Sequence, residues 1–130
     1  MVVSRDKELI ALVRRSCSPP WSVEARTDWH RAGKLVGSLG VAAVVFDDDV
    51  VPQGERSELI SNIHVWFPQA VIIYVAGEHN REVECLAREG GVLSYTSKPV
   101  EAERLESLLR SLSHRGNTSP SAPAACRTAH

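Results

Sequence analysis

Cysteine is scarce in this chain, and neither sign of charge is in excess. Only Cys17, Cys85 and Cys126 are present. An odd count without regular spacing argues against a disulfide framework and against a zinc site, and a reducing cytoplasm is the simplest compartment. Acids and bases nearly cancel, to a formal net charge of −1. That removes the global electrostatic case for nucleic acid or an anionic membrane. No apolar run approaches the roughly 18–20 residues that a membrane span needs. Charge appears almost at once, at Arg5, Asp6, Lys7 and Glu8, so no signal-peptide pattern is visible. The histidines His30, His64, His79, His114 and His130 are scattered, and none pairs at metal-ligand spacing.

What remains is an ordinary globular composition, 43% hydrophobic and 24% charged over 130 residues, enough for one domain with a real core. Its most informative stretch is Val41–Pro52. Six apolar residues, Val41 to Phe46, run directly into Asp47, Asp48 and Asp49. A continuous apolar run of this length fits a strand buried on both faces of a parallel sheet. Acids at its C-terminal end lie where open α/β sheets place their chemistry. Carboxylates crowded together need a cation, a lysine or a proton to offset their repulsion.

The rest of the chain alternates. Met1–Val3 is a short apolar start. A helical pattern follows, with Leu9, Ile10, Leu12 and Val13 on one face, capped by Ser4 or Asp6. Ser18, Pro19 and Pro20 end it. Trp21–Arg26 alternates like an edge strand, and a helix over about 29–38 points Trp29, Ala32, Leu35 and Val36 inward, with Gly37 and Gly40 at its end. After the acidic strand, a helix over about 56–66 buries Leu59, Ile60 and Ile63 and stops at Pro68. Ala70–Val75 is a second central strand. A helix over about 81–89 buries Val83, Leu86 and Ala87, with Cys85 as a small core residue. Val92–Tyr95 is the last strand. A helix over about 100–112 turns Leu105, Leu108, Leu109 and Leu112 inward. Trp66 and Phe67 read as packing residues.

Five βα units force parallel pairing through right-handed crossovers. The expected fold is α/β, a flavodoxin-like (βα)5 three-layer sandwich with a five-stranded parallel sheet in the order 2-1-3-4-5. The ends of the first and third strands then meet, bringing Ser4, Arg5 and Asp6 beside Asp47–Asp49. The domain is expected over 1–112. Residues 113–130 have Ser, Pro, Ala and Thr without periodicity and read as a disordered tail, with no output domain following.

At this point the chain resembles a bacterial response-regulator receiver domain. Three features carry the resemblance: Asp48 four residues before Pro52, with Leu59-Ile60 seven and eight residues beyond that Pro; Lys98-Pro99 after the fifth strand; and Tyr95 three residues before the Lys. The resemblance implies that Asp48 is the phosphoacceptor position, with Asp47 as second choice. It implies that Lys98 contacts the phosphoryl group, that Lys98-Pro99 is cis, and that Tyr95 is the aromatic switch position. Metal and lysine would neutralise charge on the transferred group.

The sequence departs from that pattern at three positions. The acidic pair falls on Ser4 and Arg5, and the switch hydroxyl falls on Val75. The expectation is therefore a degenerate, stand-alone pseudo-receiver in bacterial two-component signalling, cytoplasmic and without enzymatic activity. It would act by protein contact, with weak or no phosphoryl control. Partners would be a histidine kinase or another receiver, meeting the face built by the fourth helix, fifth strand and fifth helix. No cofactor is expected. Mg²⁺ enters only in the alternative, a working single-domain phosphoacceptor at Asp48 with Asp6 and Asp48 as ligands. The Arg5 guanidinium, paired with Asp47 or Asp48, is a candidate for the metal's place. Val44–Asp49 also resembles the first motif of haloacid-dehalogenase-type phosphatases, but the later acidic pair of those enzymes is missing.

Overall fold

The computed structural model describes residues 1–17, 21–29, 31–32, 41–66 and 69–114. Its strands are β1 (Val2–Val3), β2 (Ala25–Arg26), β3 (Ala43–Asp47), β4 (Val71–Ala76) and β5 (Ser94–Ser97). They form one five-stranded sheet in the order β2-β1-β3-β4-β5, with every pairing parallel. The helices used below are α1 (Lys7–Ser16), α2 (Arg56–Trp66), α3 (Arg81–Glu89) and α4 (Ala102–His114). No helix among the described residues is long and apolar enough to cross a membrane.

Strand alternation sorts the core into two layers. Val2, Val45, Ile73 and Val75 face one side and pack with Leu9, Leu12 and Val13 of α1 and Leu105 and Leu109 of α4. Val3, Val44, Phe46, Ile72 and Tyr74 face the other and pack with Leu59, Ile60 and Ile63 of α2, and with Trp29, Ala32 and Ala87. The result is the expected three-layer sandwich. Trp29 and Trp66 lie ring to ring at 5.3 Å, as packing residues.

Several boundaries move. β5 begins two residues later than the apolar pattern suggests, because pairing starts where Leu93 N donates to Ile72 O (2.8 Å). Val92 is spent on the core just before it. β2 keeps only the last two residues of its alternating stretch. Cys85 and Leu86 are corrections: both are exposed, Leu86 at 40%, because α3 turns Ala87 to the core and Val83 against it. Ser18–Pro20, His30, Leu35, Val36, Gly37, Gly40, Phe67, Pro68 and the tail from Arg115 onward lie outside the described residues.

Candidate functional site

β3 delivers its acids to opposite sides of the sheet. Asp47, the last strand residue, shares the side of Val45 and emerges toward α1 and α4. Asp48 opens the 3-10 turn Asp48–Val50 and reaches Tyr74, which belongs to the other layer. Both are buried, at 0% and 1% exposure. Asp49 is half in solvent.

Lys98 gathers three carboxylates. Its Nζ lies 2.9 Å from Asp47 Oδ2, 2.9 Å from Asp49 Oδ2 and 3.2 Å from Asp6 Oδ2. Burial works against the ammonium, but the hydrogen bonds to Asp47, Asp49 and Asp6 outweigh it and hold the Lys98 pKa above its ordinary value. Asp6 is the N-cap of α1 and accepts from Glu8 N and Leu9 N. Partial burial pushes its pKa up, while the Lys98 bond and the backbone donors take it below the usual carboxylate value. The peptide bond before Pro99 is cis.

Ser4 is fully buried. Its hydroxyl donates to Asp47 Oδ2 at 2.6 Å and accepts from Asp6 N at 2.9 Å. Asp49 N donates to Asp47 Oδ1 at 3.0 Å. Arg5 is exposed, and the cations at the acids are Lys98 and Arg56. The placement of Arg5 among the carboxylates is thereby corrected: it extends into solvent, while the neighbouring Ser4 turns inward.

Asp48 has a separate set of partners. Tyr74 donates its hydroxyl to Oδ2 at 2.8 Å, and Gly77 N donates to Oδ1 at 2.8 Å. Arg56 lies 3.8 Å from Oδ1 and donates to the Asp48 carbonyl at 3.2 Å, while its buried Nε has no partner. Burial, then the Asp48 charge and hydrogen bond, push the Tyr74 phenol well above the ordinary tyrosine value. Tyr74 in turn stacks on Tyr95, with centroids 5.8 Å apart and planes 10° from parallel. Tyr95 is half-buried. Asn80 N donates to its hydroxyl at 3.3 Å, and His79 Nδ1 lies 3.4 Å away. Val75 is fully buried in the α1–α4 layer.

Tyr74, Gly77 and Arg56 are the residues that sequence reasoning passed over. Tyr74 carried a usable signal: a tyrosine inside an aliphatic buried strand has a hydroxyl that must find a partner. A Cβ at Gly77 would fall 1.9 Å from Asp49 Oδ1, so a side chain there would displace the Asp49 carboxylate.

One oxygen from each of Asp47, Asp48 and Asp49 lies within 4.8 Å of the others, close enough for the three acids to face one divalent ion. Magnesium wants near-octahedral oxygens at about 2.0–2.1 Å. Here Asp47 and Asp49 are already on the Lys98 ammonium, and both Asp48 oxygens are taken by Tyr74 and Gly77. The end of β1 supplies a serine and an arginine instead of acids. The donor set as arranged does not fit the ion.

No protein-family model matches the chain, and no curated protein matches it. Solved structures do. A response regulator from Thermotoga maritima is similar at TM-score 0.71 and 16% identity, over 88% of this chain and 95% of that one. The signal receiver domain of an HD domain-containing protein from Pseudomonas fluorescens Pf-5 is similar at TM-score 0.70 and 25% identity, over 88% and 94%. An atypical orphan response regulator, described as revealing a phosphorylation-independent regulatory mechanism, is similar at TM-score 0.68 and 14% identity, over 87% and 92%. The fold is that of response-regulator receiver domains, orphan regulators among them.

Proposed function

We propose that this chain is a receiver-type module of bacterial two-component signalling that works by protein–protein contact, with weak or no phosphoryl control. The observation that carries this reading is the state of Asp48, the position that the resemblance gives to the phosphoacceptor. It is buried, and each of its oxygens accepts from a fixed donor. A carboxylate so held is a structural acceptor, and attack on an incoming phosphoryl group would first require it to leave both donors. Serine at Ser4, arginine at Arg5 and an apolar side chain at Val75 support the same reading. So does the likeness to an orphan regulator described as phosphorylation-independent.

The contact surface in this reading is the face formed by α3, β5 and α4. Between β5 and α4 runs a groove of about 520 Å³, with Tyr95, Val100, Arg104 and Leu108 in its lining. Leu86 stands exposed on α3. A histidine kinase or another receiver is the partner class, and a bacterial cytoplasm the implied compartment. Tyr95, stacked and hydrogen-bonded, serves as a fixed part of that face. Catalysis forms no part of the role.

The rival reading is a single-domain phosphoacceptor, and the Lys98–Asp47 ion pair at the strand end favours it. Incubation with a small phosphodonor and magnesium, followed by intact mass, separates the two. The protein is expected to show no phosphate-sized gain. A gain lost in Asp48→Asn or in Asp47→Asn would overturn the proposal and identify the acceptor.

A further inference from the structure

We propose that the outer face of α3 binds the same face of a second copy of this chain, with the two helices antiparallel. Ala87 is turned to the core, and the opposite side of the helix is exposed at Arg81, Glu82, Cys85, Leu86, Arg88 and Glu89. Arg81, Glu82, Cys85, Leu86 and Glu89 line an open hollow of about 570 Å³. Leu86 is a large apolar side chain left in solvent, and Cys85 beside it is small and weakly polar. The middle of the face is therefore apolar and its ends are charged.

Charge complementarity selects the occupant. Residues four apart form one ridge of a helix, here Arg81, Cys85 and Glu89: a cation, a small centre, an anion. Reversed, such a ridge is its own complement. A two-fold axis at Cys85 sets Arg81 beside Glu89 of the second copy, and by symmetry does so twice. It relates Glu82 to Arg88 in the same way. Ridges of this kind interdigitate when two helices cross at about −50°. Within one copy Arg88 pairs with Glu84 at 2.9 Å, whereas Arg81 and Glu89 make no ion pair among the described residues. Arg81 opens the helix and Glu89 ends it, against the helix dipole, which favours acids in the first turn and bases in the last. In the antiparallel pair each meets the opposite end of the neighbouring helix, and both dipole contributions become favourable. The contact is one helix wide, so the association is weak and reversible, with an expected dissociation constant of roughly 10 µM to 1 mM. The second copy is one case of the contact function proposed above and rests on that reading. A monomeric wild type removes the second copy only, whereas phosphoryl transfer to Asp48 or Asp47 removes the reading itself.

The test is analytical ultracentrifugation of the full chain across that concentration range, for the wild type, Arg81→Glu, Glu89→Arg and the double variant Arg81→Glu/Glu89→Arg. Both positions are exposed, and each single reversal improves the helix's match to its own dipole, so a weaker dimer does not report a melted helix. Each single reversal turns two attractive pairs into repulsive ones and should weaken association about tenfold. The double variant restores both pairs with their signs exchanged and should return to within about threefold of wild type. A second measurement locates the contact: in a Cys17→Ser/Cys126→Ser background, a short bismaleimide should join Cys85 to Cys85 of the second copy, and Arg81→Glu should suppress that product. A wild type that stays monomeric throughout the range would overturn the proposal. So would a dimer that neither single reversal weakens, that the double variant fails to restore, or that yields no Cys85 crosslink.

Discussion

Tyr74 donates its hydroxyl to Asp48 Oδ2 at 2.8 Å, both side chains being buried, so an acid from the end of β3 is bonded inside the sheet's second layer. Removing the hydroxyl strips a buried, charged acceptor of one of its two short donors. Tyr74→Phe is expected to destabilise the fold by about 1–3 kcal/mol. Urea denaturation with an unchanged m-value would measure it. A loss below a few tenths of a kcal/mol would mean that water or Arg56 takes over the bond.

The sheet order was legible because it depends on coarse features. Val41–Phe46 and Ala70–Val75 are continuous apolar runs, the second rich in β-branched residues, and helical stretches alternate with the strands. The acid cluster was legible as well, since the acids end a strand and Lys98-Pro99 ends another. The division of labour among the acids was not. Asp47 and Asp48 are adjacent in sequence but opposite in direction, and only the strand end and the 3-10 turn decide which one meets Lys98. Arg5 misled for a related reason. Its charge suited the pocket, but the chain turns Ser4 inward there and Arg5 outward. The exposure of Cys85 and Leu86 was hidden too, because a nine-residue helix has too few turns to show which of two adjacent faces is covered.

Asp47 and Asp49 hold the same ammonium at the same distance, yet they should differ in energy. Asp47 is fully buried and also holds Ser4, while the Asp49 side chain is 53% exposed. Asp47→Ala leaves a buried hydroxyl and a partly buried cation short of a partner and is expected to cost about 2–4 kcal/mol. Asp49→Ala breaks a pair that water can replace and is expected to cost about 0–1 kcal/mol. Parallel urea midpoints compare the two, and equal losses would contradict the burial argument.

Stability at the pH extremes follows from the shifted groups. Asp6 has a lowered pKa in the folded chain. Its contribution is present above the unfolded value, about 3.9, and is lost as pH falls through the lower folded value. Lys98, Tyr74 and Tyr95 have raised values. Their contributions are present below the unfolded values, about 10 for Tyr and 10.4 for Lys, and are lost as pH rises beyond them. The urea midpoint should therefore fall on the alkaline side from about pH 10, and Tyr74→Phe should flatten that fall. An identical alkaline slope in Tyr74→Phe would remove Tyr74 from the account.

Gly77 sits against Asp49, and the two should behave as a coupled pair. In Gly77→Ala the new methyl falls on the Asp49 carboxylate. The carboxylate belongs to a half-exposed side chain, so it can swing into solvent and release Lys98, at an expected cost of about 1 kcal/mol. Asp49→Ala removes the obstacle as well as the ion pair. The double variant Gly77→Ala/Asp49→Ala should then be no less stable than Asp49→Ala alone, giving a coupling energy of about 0.5–1 kcal/mol in a double-mutant cycle. Strict additivity of the two losses would show that the Gly77→Ala loss does not arise from the space that the glycine leaves to Asp49.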